Sequence, residues 1–463
     1  MIPGPAGRRM GGAGLLVLVA LGAAIAWPVA DAPPDRRPNV IVVLTDDQRA
    51  GTFAEAMPWL GGQLTRAGSG WTSFPNASAN TPLCCPSRAS LLTGSYDRHT
   101  GVFDNDDGGN LDESSTIATW LRATGYRTAL IGKYLNRYPF GRTPYVPAGW
   151  DRFVAKRNQS GETVYRDFQA VDQGSPVFVR RYATDWLAAH AVRFVRTAPS
   201  DRPFFLLFAP SAPHEPWLPA ARHVGAYDDL PLEEAPNVAG ALRGASPWVR
   251  SLPIPSAEQR DAWLDDRRRA DEALLAVDDA LRSIVIALDD RVDDTVIFVL
   301  SDNGYSFGEH RWAGKKCPYE ACVRIPLAVR SPWTPVVPED VPLSIVDLAP
   351  TILDLARAGR PAPMDGMSFA PTIRAERGRP ADERVEPALL GWVGDDRVPA
   401  WAAVRTSDLK LISWADGAEE LYDLGGRFGP ADPWELVNVA AEPRYAGVLA
   451  RLRGLLGPVP GPR

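Results

Sequence analysis

Five times along the chain a run of apolar, mostly branched residues stops abruptly at a polar loop. "NVIVVLTDDQ" (39–48) stops at two aspartates, "YRTALIGKYLN" (126–136) near Lys133, and "DTVIFVLSDNG" (294–304) at Asp302. "PFFLLFAPSAPHEPW" (203–217) breaks into a proline-rich loop carrying His214, and "RIPLAVRSP" (324–332) is the fifth run. Uninterrupted apolar runs of this length suit strands of a parallel sheet buried on both faces. Helical stripes alternate with them. One covers Thr184 to Val195; a longer one, Glu258 to Asp290, puts Leu274, Val277, Leu281, Ile284, Val285 and Leu288 on one face. "SIVDLAPTILDLARAG" (344–359) reads as a helix interrupted at Pro350 and closed by Gly359. The alternation predicts an α/β fold with a mainly parallel sheet. Ligands of such sheets bind beyond the carboxyl ends of the strands, where these polar residues fall.

From about Pro380 the pattern changes. "WAAVRTSDLKLISWADGAEELYDLGG" (401–426) alternates as antiparallel strands do around a turn near Gly417, and "PRYAGVLARLRGLLG" (443–457) is an amphipathic closing helix. The expected organisation is a catalytic domain over 37–379 and a smaller antiparallel α+β subdomain over 380–463. Residues 1–32 read as a signal peptide and short linker. Arg8 and Arg9 precede the apolar run Gly14 to Ala26, and Ala24-Ile25-Ala26 offers a small-residue cleavage zone. That run is short for a membrane span, so no stable insertion is expected once it is cleaved; an uncleaved anchor is the alternative. Either way the body is exported, secreted or at the cell surface.

Composition changes little in this picture. Apolar residues at 45% and charged ones at 23% exclude a disordered chain. A net charge of −6 without a basic run gives nucleic-acid binding no support. The four cysteines matter more. Export lets Cys317 and Cys322 pair across a short loop. Cys84 and Cys85 are adjacent, and neighbours rarely meet disulfide geometry. Asp46, Asp47, Asp302 and Asn303 sit at the ends of two strands distant in sequence. Three carboxylates and an amide converging at one sheet edge are costly without a cation, and oxygen donors suit Ca²⁺ or Mg²⁺.

"CCPSRASLLTG" (84–94) fits the C-x-P-S-R-x-x-x-L-T-G signature and resembles that of the type I, formylglycine-dependent sulfatases. The resemblance runs through "LTDDQ", "GKYLN", "APHEPW", "SDNGYSFGEHRW", "GKKCPYEACVRIPLAVRSP", "SIVDLAPTILDLA" and "EELYDL". "CCPSRASLLTG" combined with "GKYLN" is most similar to the N-acetylglucosamine-6-sulfatase-like branch. The resemblance implies an alkaline-phosphatase-like fold and hydrolysis of sulfate monoesters of a sulfated saccharide or other alcohol. It implies that Cys84 is converted to formylglycine by a formylglycine-generating enzyme, the hydrate being the nucleophile. Asp46, Asp47, Asp302, Asn303 and modified Cys84 would hold the cation. Arg88 would steady the formylglycine, Lys133 and Lys315 would hold the sulfate, and His214 would protonate the leaving alcohol.

Pro86 suits the first turn of a helix whose N-terminus favours the anion, and Cys85 takes a packing role. Many sulfatases place a histidine two residues after the first lysine, where this chain has Leu135 followed by Asn136. His99 is the candidate to accept the proton when sulfate is eliminated, with His310 behind it; His190 and His223 read as structural or solvent-facing. Of Lys315 and Lys316, the spacing selects Lys315. Trp217, Tyr305 and Trp312 are candidates for a sugar-stacking wall. Two other functions are weighed: a phosphonate monoester or phosphodiester hydrolase of the same superfamily, and a non-catalytic exported binding protein.

Overall fold

The computed structural model describes residues 1, 4, 37–157, 161–333, 341–374 and 387–461. The expected signal segment and the expected boundary near 380 lie outside them. Residues 37–463 cluster as one compact unit. Its centre is a nine-stranded sheet, in spatial order Trp71–Ser73, Leu327–Arg330, Thr295–Ser301, Asn39–Thr45, Phe204–Ala209, Arg127–Lys133, Arg152–Lys156, Phe168–Asp172 and Ser175–Val179. The five strands from Thr295–Ser301 to Arg152–Lys156 are mutually parallel, and the pairs at both edges are antiparallel.

Every residue of Asn39–Thr45, Phe204–Ala209 and Thr295–Ser301 is buried. The reason is a helix layer on each face. Val40, Val42 and Leu44 point into a core shared with Leu91 and Leu92 of helix Cys84–Thr93 and Ile352 of helix Leu348–Leu355. Ile41 and Val43 point the other way, onto Leu187 of helix Ala183–Arg196 and Leu274, Val277, Leu281 and Ile284 of helix Ala257–Leu288. Alternation across the strand and the 3.6-residue helical stripe meet in both layers.

Two local expectations are corrected. Pro350 does not interrupt its helix; it occupies the first turn of Leu348–Leu355, where a missing N–H has no intrahelical acceptor to disappoint. The helix ends before Gly359, with Arg357 at φ 51° making the reversal. The strands Arg152–Lys156, Phe168–Asp172 and Ser175–Val179 are absent from the sequence reading, because this meander lacks a continuous apolar run and its last strand is mostly exposed.

Beyond residue 387, four strands (Ala388–Trp392, Trp401–Arg405, Leu409–Trp414, Glu419–Asp423) form an antiparallel meander, and helix Ala446–Leu455 closes it. Gly417, at φ 84°, lies in the turn between the third and fourth strands. One face of this sheet carries Trp392, Trp401, Trp414 and Tyr422 against Tyr319, Cys322 and Trp312 of the larger body. No helix among the described residues is long and apolar enough to cross a membrane.

Candidate active site

The parallel pairing of two central strands builds the core of the site. Thr45 is the register partner of Ser301, so the chain segments leaving both strands, Asp46-Asp47 and Asp302-Asn303, emerge side by side. Asp47 N–H donates to Asp302 Oδ1 at 3.1 Å, and Asn303 Nδ2 donates to Asp47 Oδ1 at 2.7 Å. Asp47 itself sits at φ 66°, an unusual backbone for a residue with a side chain, and one found where surrounding contacts over-determine it.

Cys84 opens helix Cys84–Thr93, and Leu83 before it supplies no side-chain cap. Cys85 N–H donates to Asn105 Oδ1 at 3.0 Å and Pro86 has no N–H, so what this turn lends the cluster is the partial positive charge of a helix N-terminus. Cys84 Sγ lies 3.5 Å from Asp46 Oδ1, 3.9 Å from Asp47 Oδ1 and 3.0 Å from Lys315 Nζ. Lys315 also donates to both oxygens of Asp47 at 2.7 Å, and Lys133, the last residue of its strand, donates to Asp46 Oδ2 at 2.7 Å. One turn into the helix, Arg88 Nε donates to Asp302 Oδ2 at 2.8 Å and its Nη1 to the Lys133 carbonyl at 2.8 Å. His214 follows its strand by five residues; Nδ1–H donates to the Glu215 carbonyl at 2.8 Å, and Nε2 faces Asp47 Oδ2 at 3.6 Å.

Burial and charge work against each other here. Burial raises the Asp46 carboxyl, but Lys133, His214, Arg88 and Lys315 outweigh it and hold it well below the usual range. Asp302, under burial and beside Asp46, is pushed up to about 6 despite Arg88. Burial pushes the Cys84 thiol up to about 12, so sulfur stays protonated and a poor nucleophile. Burial lowers His214 below the ordinary histidine value, Asp47 opposing.

The donor set suits a hard divalent cation. One oxygen each from Asp46, Asp47 and Asp302 lie within 4.8 Å of one another, and Asn303 Oδ1 is buried without a hydrogen-bond partner. An acceptor without a hydrogen-bond partner beside three carboxylates fits an oxygen-liganded divalent cation.

The other sequence candidates separate from this cluster. His99 is not brought to it: its short helix Asp97–Thr100 turns the imidazole outward, 55% exposed, onto Asp365 Oδ2 at 2.7 Å. His310 is buried, stacked at 3.6 Å on Tyr319 and bonded to the Glu435 carbonyl. His190 packs on Trp186, and His223 pairs with Asp279. Lys316 turns away to Asp395 at 2.8 Å, leaving Lys315 as the inward lysine. Trp217 and Tyr305 adjoin at 5.8 Å, but Trp312 packs on Trp248 in a different cluster, so the three do not form one wall. Cys85 is buried among apolar neighbours, and Cys317 and Cys322 form a disulfide.

One residue missed by the sequence reading lines the same cleft. Lys156 ends the strand beside Lys133 and is its register partner. Only the strand pairing reveals this, since 23 positions separate the two lysines in the sequence.

Fold and site together are those of a hydrolase for anionic esters: two half-buried lysines, a buried arginine and a helix N-terminus surround one reactive position. Residues 38–358 match the sulfatase family model, and residues 308–458 match the model for the C-terminal part of N-sulphoglucosamine sulphohydrolase. The chain belongs to the sulfatase family, and so to the sulfuric ester hydrolases. It is 27% identical to an N-acetylglucosamine-6-O-sulfatase of Bacteroides thetaiotaomicron, over 91% of this chain and 86% of that one. It is 34% identical to the goat (Capra hircus) N-acetylglucosamine-6-sulfatase, over 73% of this chain and 64% of that one. A solved complex of a protein with its substrate, D-glucosamine-2-N,6-O-disulfate, superposes with a TM-score of 0.78 at 25% identity, covering 91% of this chain and 97% of that one.

Proposed function

We propose that this chain is an exported sulfatase that cleaves sulfate monoesters of a sugar, the 6-O-sulfate of a glucosamine unit being the best-supported substrate. In this reading residue 84 acts as formylglycine, and Asp46, Asp47, Asp302, Asn303 and residue 84 hold Ca²⁺ or Mg²⁺. The observation that carries it is the convergence of Lys315, Asp46 and Asp47 on Cys84 Sγ at 3.0, 3.5 and 3.9 Å. The names of the Bacteroides and goat relatives, and the disulfated glucosamine in the solved complex, support the sugar. Export rests on the N-terminal apolar segment.

A bound cation supplies Lewis acidity toward the sulfate oxygens, and formylglycine hydrate supplies two hydroxyls on one carbon, which a thiol lacks. The chain's own residues do the rest. Lys133 and Lys315 counter the sulfate charge from the Asp46 and Asp47 sides respectively. Arg88 fixes Asp302 and the end of the Lys133 strand, so the position of residue 84 is set relative to both. Because His214 Nδ1–H is spent on the Glu215 carbonyl, Nε2 is the atom that gives a proton to the leaving alcohol. A sugar alkoxide leaves poorly, so that proton contributes on the order of 10²–10⁴ in rate.

Mass spectrometry of the Cys84 peptide from active protein tests the reading. An aldehyde is expected in place of the thiol, with activity proportional to the modified fraction. Cys84→Ala is expected to be inactive and Cys85→Ala to keep most activity. Full turnover from protein whose Cys84 is wholly a thiol would refute it. Parallel assays with aryl sulfate and aryl phosphonate esters separate this reading from the phosphonate hydrolase alternative, which requires the phosphonate to be the better substrate.

A further inference from the structure

Next to the Cys84 cluster lies a cavity of ≈ 40 Å³, with Lys133, Asn136, Lys156, Arg157 and His214 in its wall beside one carboxylate, Asp46. By the measure in which one water needs about 10–15 Å³, it has room for a small polyatomic group. Its cations are of two kinds. Lys133 is neutralised by Asp46 at 2.7 Å. Lys156 has no such carboxylate: it is 6% exposed, its ammonium donates to the Val164 carbonyl and lies 5.3 Å from the centre of the Phe168 ring, and it forms no ion pair with any described carboxylate. Beside it, Asn136 Oδ1 is buried without a hydrogen-bond partner, and Arg157, at the rim, holds Gln169 Oε1 at 2.6 Å.

A carbonyl and an aromatic face compensate a buried ammonium only in part, and the missing anion costs several kcal/mol, so a fold that keeps such a lysine beside an open cavity keeps it for something that enters. Burial pushes the amine down to about 7, Asp46 opposing and Lys133 adding, the behaviour of a cation held without its counter-ion. Lys156 makes no hydrogen bond or ion pair with Cys84, Asp46 or Asp47, so it stands one strand outside the group that surrounds the cleaved sulfate. Asn136 can turn its amide N–H toward the same space.

We propose that this cavity receives a second anionic group of the substrate, a sulfate or carboxylate other than the one cleaved, and that Lys156 is the residue that recognises it. The proposal rests on the sulfatase reading and narrows its substrate to polyanionic saccharides. Lys156 acts as a specificity residue, joined by Arg157 at the rim and Asn136 in the wall.

The test compares kcat and KM for three substrates: glucosamine 6-sulfate, glucosamine 2-N,6-O-disulfate, and a 6-sulfated glucosamine linked to a uronic acid. Wild-type protein is expected to prefer one polyanionic substrate over the monosulfate by at least tenfold in kcat/KM. Which substrate is preferred tells a second sulfate from a carboxylate. Lys156→Met is expected to abolish that preference mainly through KM, with less than threefold change on the monosulfate. Arg157→Gln, at a half-buried position, is expected to weaken the preference in the same direction and serves if Lys156→Met proves unstable. Equal losses on all three substrates, or a wild-type protein indifferent to the second charge, would overturn the proposal while leaving the sulfatase reading intact. A wild-type protein that turns over none of the three nor an aryl sulfate defeats the reading itself.

Discussion

At the scale of single residues, Asp302 joins two functions, and its substitution separates them. Asp302→Ala is expected to abolish turnover and metal retention, checked by assay and by elemental analysis of the purified protein. It also removes the carboxylate that Arg88 Nε holds at 2.8 Å and leaves the buried guanidinium only Asp46, at 3.9 Å, so a lowered unfolding midpoint is expected with it. Asp302→Asn keeps an acceptor for Arg88 and is expected to recover much of the stability but little of the activity. His214→Ala is expected to lower turnover of sugar sulfates by about 10²–10⁴ and of activated aryl sulfates far less, since an aryl leaving group needs little protonation. The acid form of His214 is the active one, and burial holds its pKa below 6.5. The kcat/KM of sugar sulfates is therefore expected to fall as pH rises through a value under 6.5. A flat profile across that range removes His214 from the proton-donor role. Most of these residues were legible before any coordinates because each ends an apolar run or stands in a long motif. Lys156 and Asn136 were not, since their meaning depends on which strands adjoin.

At the scale of elements, the site is as good as the strand ends that carry it. Gly132, at φ 137° just before Lys133, has no room for a side chain: an added Cβ would lie 1.9 Å from the Ala209 carbonyl oxygen. Gly132→Ala is expected to push the Lys133 strand off its neighbour, to cost roughly 2–4 kcal/mol in urea unfolding, and to lower activity beyond what lost stability explains. The central strands and the two long helices follow directly from the periodicities of the sequence. The edge meander over 152–179 does not, because half-exposed strands carry mixed side chains and no clean alternation. Pro350 misleads for a related reason. A proline inside an apolar helical stripe reads as a break, and only the true start of the helix shows that it lies in the permissive first turn.

At the scale of the whole molecule, a buried charge network joins the C-terminal sheet to the larger body. Arg405 and Lys410 hold Glu320 at 2.9 and 3.1 Å, and Lys410 also meets Glu435 at 2.5 Å. Burial raises Glu435 to about 7 against the pull of Lys410. A carboxyl raised on folding stabilises fully below its ordinary 4.5, and that contribution is lost as pH rises through about 7. The Tm of Glu435→Gln relative to wild type is accordingly expected to rise between about pH 5 and about pH 8; a constant difference assigns the network no pH dependence. The same seam reaches the site. Trp401 Nε1 donates to the Lys316 carbonyl at 2.8 Å, and Asp395 holds the Lys316 ammonium at 2.8 Å, fixing the residue next to Lys315 from the C-terminal sheet. Recombination inherits a constraint from this. A chimera that joins residues 37–374 of this chain to the C-terminal part of a distant relative would bring a foreign scaffold to Lys315, and it would work only where the donor supplied its own equivalents of Asp395, Trp401, Arg405 and Lys410. The two sheets are thus bound to change together over generations, as a lock and its strike plate must be cut as a pair.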